Sequence, residues 1–226
     1  MRPIDKGSNP LDDKGKDIEF KEYSHSRKYL IDRLGRYCSY CENSINANLA
    51  VEHVQPKSKK LALELNWDNF LLACTNCNST KGDDDINVED YIFPDVCNSF
   101  LYFEYGYSGI VKPKATLSAE NTLLAKNTIK LVGLDKIPPN ENTIEWKKAG
   151  DSRFEKRLES YKIAIDYLNK YEMGNIDKRN AYIDCFSTIV SGQGFWSIWI
   201  QVFANFPEVI LEIKHCINGT NKAYYP

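Results

Sequence analysis

Four cysteines in two short pairs, Cys38-Ser39-Tyr40-Cys41 and Cys74-Thr75-Asn76-Cys77, constrain this chain more than any other feature of its sequence. Four thiols with two-residue spacers are the ligand set of a tetrahedral structural zinc site. An iron–sulfur cluster can use the same ligands, whereas a thioredoxin-like redox pair would need only one Cys-x-x-Cys beside a βαβ unit. The total of seven cysteines is odd, which argues for metal binding in a reducing compartment over a disulfide framework. Cys97, Cys185 and Cys216 remain, and each reads as a small buried apolar side chain.

Between the pairs stands Val51-Glu52-His53-Val54-Gln55-Pro56-Lys57-Ser58. An acidic residue beside a lone His is a weak signal, because an isolated His is more often structural. Its context adds Asn69 in Trp67-Asp68-Asn69-Phe70, and Asn78 in Cys77-Asn78-Ser79-Thr80-Lys81-Gly82. The order Cys-x-x-Cys, acidic-His, Asn, Cys-x-x-Cys-Asn-x-x-Lys-Gly resembles the zinc-containing branch of the HNH (ββα-metal) endonucleases, over about a fifth of the chain.

That resemblance implies a role for each matching residue. His53 corresponds to the general base that takes a proton from the attacking water. Glu52 and Asn78 correspond to oxygen ligands of one catalytic divalent cation, Mg²⁺ or another. Asn69 would hold the hairpin loop and keep His53 aimed, and Lys57 and Lys81 would contact nucleic-acid phosphate. Cys38, Cys41, Cys74 and Cys77 would bind zinc as a structural staple, with all four metal positions filled by thiolates. Two positions depart from the usual pattern: Glu52 stands where Asp is common, and Asn78 where His is common.

Further phrases carry a narrower likeness: Met1-Arg2-Pro3-Ile4 with Lys6-Gly7, Tyr37-Cys38-Ser39-Tyr40-Cys41-Glu42, and Glu52-His53 with Pro56-Lys57-Ser58. They are similar to the HNH subunit of Septu-type anti-phage systems, which also occurs beside some retrons. This implies an ABC-type ATPase partner of the PtuA kind and a nucleic-acid substrate, DNA before RNA. The net charge of −2 fits such an arrangement, since a chain that grips a polyanion alone is expected to be basic. Local clustering of Lys57, Lys59 and Lys60 is the plainer explanation. Two rival functions share part of the signal. A stand-alone HNH restriction or toxin nuclease would use every catalytic residue, and a zinc-knuckle binding module would need the cysteines but not Glu52, His53 and Asn78 together.

A length of 226 residues allows one ordinary domain or two small ones. Hydrophobic residues at 42% and charged ones at 27% are those of a soluble globular protein. The longest apolar stretch, residues 195–206, is broken by Ser197, Gln201 and Asn205 and falls short of the roughly 20 residues a membrane helix needs. No membrane association is expected, and the opening MRPIDKGSNP has no apolar secretion segment, so the expected location is cytoplasmic.

Along the chain, residues 1 to about 17 read as an extended polar arm. A helix is expected from Ile18 on the spacing of Phe20, Tyr23, Leu30, Ile31 and Leu34, with Gly35 as its end. A β-hairpin followed by a helix fits residues 37–82, and Asp83 to Asp85 read as solvated surface. Residues 91–112 suit one or two short strands or irregular aromatic packing. Helices are then expected over 117–132, stopped by Gly133, and over about 142–172 after a break at Pro138 and Pro139. In the second of these, Phe154, Leu158, Tyr161, Ile165 and Leu168 form one apolar seam. Further helices begin near Asp177 as an N-cap, near Gly194 and at Pro207. The expected fold is α+β: an N-terminal arm and helix plus a zinc-stapled ββα-metal core within residues 1–114, and an α-helical partner-binding region over residues 115–226; the 195–206 segment suits a docking surface and a buried helix of the region's own core equally.

Overall fold

The apolar runs between the cysteine pairs form two four-residue strands, β1 (Ala50–His53) and β2 (Phe70–Ala73). This computed structural model describes residues 1–107, 109–137 and 151–224. The strands pair antiparallel in the register Val51↔Leu72 and His53↔Phe70. So short a ribbon is marginal alone in water, and β2 is buried along its whole length. Cover comes from α1 (Arg27–Leu34) against β2 and from α2 (Thr75–Lys81) against β1. Helix α2 starts on Cys74, whose sulfur accepts from the Cys77 amide, and stops at Gly82 with φ 63°. The expected hairpin and helix are therefore present.

Helix α1 starts later than expected. Residues 23–26 form a 3₁₀ turn, and Phe20 is buried by stacking on Trp67 with ring centroids 6.1 Å apart rather than by lying on a helix face. The N-terminal arm is extended, but its first residues are buried: Met1 and Ile4 lie in the core. Arg2 donates to the Leu34 and Asn218 carbonyls at 2.7 Å each and to Thr220 Oγ1 at 2.8 Å. The arm thereby ties the N-terminal half to the C-terminal tail, where Ile4 bridges Thr220.

The aromatic stretch yields a second small hairpin, β3 (Phe103–Tyr105) with β4 (Val111–Pro113). Helix α3 (Ala119–Val132) has Ser118 as its side-chain N-cap and Gly133 in the left-handed conformation at its end, φ 65°. It packs on both α2 and β4. Helix α4 (Arg153–Met173) begins at Arg153, and residues 151 and 152 are not helical. The expected helical start near 142 and the Pro138–Pro139 break lie outside the described residues.

The buried face of α4 is also displaced from the expected seam. Arg153, Arg157, Ser160 and Ala164 are buried, while Phe154, Leu158, Tyr161, Ile165 and Leu168 are only half-buried beside them. Helix α5 (Ile176–Gln193) is capped by Asn175, which accepts from the Lys178 amide, and not by Asp177. Helices α6 (Trp196–Val202) and α7 (Pro207–Cys216) complete the chain, with Pro207 in the first turn as expected.

The 195–206 segment is core rather than an open docking surface: Trp196 and Trp199 are 0% exposed. Phe186, Trp199 and Phe203 pack ring on ring, Phe186 and Phe203 at 4.9 Å. Buried residues from both halves form one continuous cluster. The first knuckle joins it through Glu42, whose carbonyl accepts from the Phe195 amide at 3.0 Å and whose carboxylate accepts from the Ser197 amide at 2.8 Å. Gly194 makes this approach feasible, since a Cβ there would lie 2.1 Å from the Glu42 carbonyl oxygen. Among the described residues no helix is long and apolar enough to cross a membrane.

Candidate active site

The hairpin and α2 bring the two cysteine pairs together from positions far apart in sequence. The sulfurs of Cys38, Cys41, Cys74 and Cys77 all lie within 4.8 Å of one another and are buried. Tetrahedral Zn–S bonds of about 2.3 Å would set the sulfurs roughly 3.8 Å apart, and Cys41 and Cys74 are 3.8 Å apart. The donor set and spacing therefore fit a structural zinc ion. Cys97 and Cys216 are half-buried, but Cys185 is exposed on α5, where the sequence reading expected a buried side chain.

His53 ends β1, wedged between the ring edges of Tyr23 at 4.9 Å and Phe70 at 5.3 Å. Its Nε2 lies 2.9 Å from the Glu64 carbonyl oxygen. A carbonyl only accepts, so Nε2 carries the proton and Nδ1 is the basic atom of the neutral ring. Burial, with Lys57 and Lys81 adding to it, lowers the His53 pKa against the opposing pull of the Glu64 carbonyl. The imidazole is therefore held neutral near pH 7.

Asn69 fixes the loop that supplies that carbonyl. Its Oδ1 accepts from the Gln55 amide at 2.7 Å, and its Nδ2 donates to the Gln55 and Leu63 carbonyls at 2.9 and 3.1 Å. Gln55 and Leu63 flank the loop between the strands, and Leu63 immediately precedes Glu64. Asn69→Ala should lose all three bonds and let the Glu64 carbonyl drift, lowering stability by about 2–4 kcal/mol, as urea unfolding checks.

Adjacent strand residues face opposite sides, and Glu52 accordingly points toward α2. Lys81 Nζ lies 2.8 Å from Glu52 Oε1 and also donates to the His53 carbonyl at 2.8 Å, and the Tyr40 hydroxyl donates to Glu52 at 3.4 Å. Burial pushes the Glu52 carboxyl up, against the pull of Lys81. Lys81 is 4% exposed, which sets it apart from the phosphate contact expected of it: it holds the acid and the strand end in place. Lys57 stands at the rim, 4.4 Å above the Tyr23 ring and 3.3 Å from Glu64 Oε1.

A cleft of about 300 Å³ is lined by Glu52, His53, Lys57, Asn78 and Asp83, with Tyr23 on its wall. Glu52 and the half-buried Asn78 carry oxygen donors of the kind hard divalent cations take, and the Glu52 carboxylate is held by Lys81 and Tyr40. Asp83 is exposed as expected, yet it borders the cleft. Sequence reasoning missed Tyr23, Tyr40 and the Glu64 backbone, because their contributions are ring packing, a hydroxyl hydrogen bond and a carbonyl, none of which has a motif.

The HNH endonuclease family model matches residues 38–84, the segment that holds both knuckles and the cleft. The chain is also 34% identical over 86 residues to the Septu protein PtuB of Bacillus thuringiensis, an overlap of 35% of this chain and 34% of that protein. The chain thus aligns with about a third of that relative's length. Residues 38–84 are thus similar to an HNH endonuclease domain.

Proposed function

We propose that the protein hydrolyses nucleic-acid phosphodiester bonds, with DNA as the expected polymer by analogy to HNH enzymes. The observation that carries this reading is the convergence in one cleft of a neutral His53, whose tautomer is set by a backbone carbonyl, with the oxygen donors Glu52 and Asn78. His53 Nδ1 accepts the proton of the attacking water. Asn69 and the Glu64 carbonyl hold the ring against rotation, while Lys81 keeps Glu52 ordered at the cleft wall. Glu52 and Asn78 would hold Mg²⁺ or a similar divalent cation, which when bound supplies charge stabilisation at the phosphate. The zinc staple takes no chemical part.

The nuclease acts, in this reading, inside an anti-phage defence complex with an ABC-type ATPase subunit of the PtuA kind, in the cytoplasm, with a retron beside it in some settings. Likeness to the Septu protein supports the partner. So does the cleft lining, where Lys57 pairs with Glu64 at 3.3 Å and Asp83 adds a negative charge, which does not favour a polyanion by itself. The helical region over 115–226 would meet the partner through its exposed apolar residues, such as Met173 and Ile176 at the α4–α5 turn. Co-purifying the chain with the ATPase and supplying DNA or RNA with Mg²⁺ tests the whole reading. Mg²⁺-dependent cleavage of DNA is expected, and no cleavage of either polymer by the complex would overturn it.

Acidification should switch the activity off in a defined window. A base whose pKa is lowered stays neutral to lower pH than free histidine, so at saturating Mg²⁺ the rate should already plateau by about pH 7, with a midpoint below about 6.5. A midpoint above about 7.5 would contradict the assignment of His53.

A further inference from the structure

Helix α4 turns two arginines toward the core at its N-terminal end, ahead of the buried Ala164 and Tyr171. Arg153 is 2% and Arg157 1% exposed. Arg153 Nη1 donates to Cys77 Sγ at 3.0 Å and to the Val132 carbonyl at 2.7 Å, and its Nη2 donates to the Gly133 carbonyl at 3.1 Å and pairs with Asp151 at 2.7 Å. Arg157 donates from Nε to the Gly109 carbonyl at 2.9 Å and from Nη2 to the Leu134 carbonyl at 3.0 Å. Its Nη1 has no hydrogen-bond partner among the described residues, and none of the ion pairs among them includes it.

A buried guanidinium without a counter-charge is costly. Asp151 supplies Arg153 with one carboxylate, and four neutral thiols would add no further anion at the Cys77 contact. One Zn²⁺ held by four thiolates would be a dianion facing the Arg153 guanidinium.

We propose that Arg153 is a counter-charge of a zinc tetrathiolate, so that zinc occupancy and the docking of α4 on the nuclease core form one coupled equilibrium. This rests on reading Cys38, Cys41, Cys74 and Cys77 as a zinc site. The coupling has a second strand, since Asp151, which clamps Arg153, also accepts from Asn76 Nδ2 at 3.1 Å inside the second knuckle. Removing zinc takes the thiolate charge away from the buried Arg153 contact at Cys77, and the first turns of α4 are then expected to loosen.

Outer-sphere partners of metal ligands typically change metal affinity by about 10- to 100-fold when mutated. Zinc release from the purified full chain to excess chelator should therefore be at least about tenfold faster in Arg153→Met, with Arg153→Lys falling between it and the wild type because it keeps charge but loses the fork. In the wild-type protein, which removes any dependence on a variant folding, hydrogen exchange before and after zinc withdrawal should show α2 and residues 153–160 losing protection together. Elemental analysis of the same wild-type preparation separates the two readings. A wild-type protein without zinc overturns the zinc site and this inference with it. Bound zinc with unchanged release from Arg153→Met, or with α4 protection that survives zinc withdrawal, overturns the inference alone.

Discussion

Cys77→Ser is expected to cost the protein its zinc and with it the ordered structure of residues 38–84. The strands of the nuclease hairpin are four residues each, too short to hold register by pairing alone. Structural zinc contributes apparent folding energies on the order of 10–16 kcal/mol in small zinc modules, comparable to the whole stability of an ordinary domain, about 5–15 kcal/mol. Cys77 is also the sulfur that Arg153 contacts, so its loss removes a zinc ligand and an anchor of α4 at once. Because both halves share one buried cluster, unfolding should spread beyond the knuckles. Zinc content should fall from close to one per chain to near zero, and the thermal transition should broaden or vanish. Cys185→Ser is the matched control and should keep both, because Cys185 is exposed and outside the cluster. A wild-type protein that is metal-free yet fully folded would contradict the staple.

The nuclease core was legible in the sequence because its information is local. Cysteine spacing, the Glu52-His53 doublet, Asn69 and Asn78 each sit at fixed positions within one short segment, and the structure gathers the four sulfurs within 4.8 Å and sets Glu52, His53 and Asn78 along one cleft. Asn69 bonds the backbone of the loop between the strands, as its place in the pattern implied. Gly35, Gly133 and Pro207 likewise marked helix ends through backbone constraints that need no partner.

What was not legible depends on contacts distant in sequence. Periodicity counts apolar residues, so it placed the α4 seam on Phe154, Leu158 and Tyr161, when the innermost positions belong to Arg153 and Arg157. Those arginines can be buried only because a sulfur cluster and the carbonyls of Gly109, Val132, Gly133 and Leu134 converge on them from other elements. The N-terminal arm has no periodicity to read, and its burial follows from Arg2 reaching Leu34 and the C-terminal tail. Residues 195–206 looked equally suited to a core or a docking face, and the ring packing of Trp199 with Phe186 and Phe203 decides for the core. Lys81 was expected at phosphate, and its burial against Glu52 rests on a contact that spacing does not reveal.

His53→Ala is expected to abolish cleavage while leaving the protein otherwise intact. The ring makes one hydrogen bond, to the Glu64 carbonyl, and two edge contacts, so its removal leaves the hairpin register, the zinc sulfurs and the Glu52–Lys81 pair in place. Loss of a general base costs on the order of 10² to 10⁴ in rate without removing substrate or metal contacts. Glu52→Ala should also lose activity, but higher Mg²⁺ should restore part of it, since that residue serves affinity for the cation. The most direct test is the single-turnover cleavage rate of zinc-replete His53→Ala in its complex, beside the wild type at saturating Mg²⁺. A fall of at least about a hundredfold with unchanged zinc content and nucleic-acid affinity is the predicted result, and wild-type cleavage by that variant would contradict the assignment of this cleft as a nuclease site.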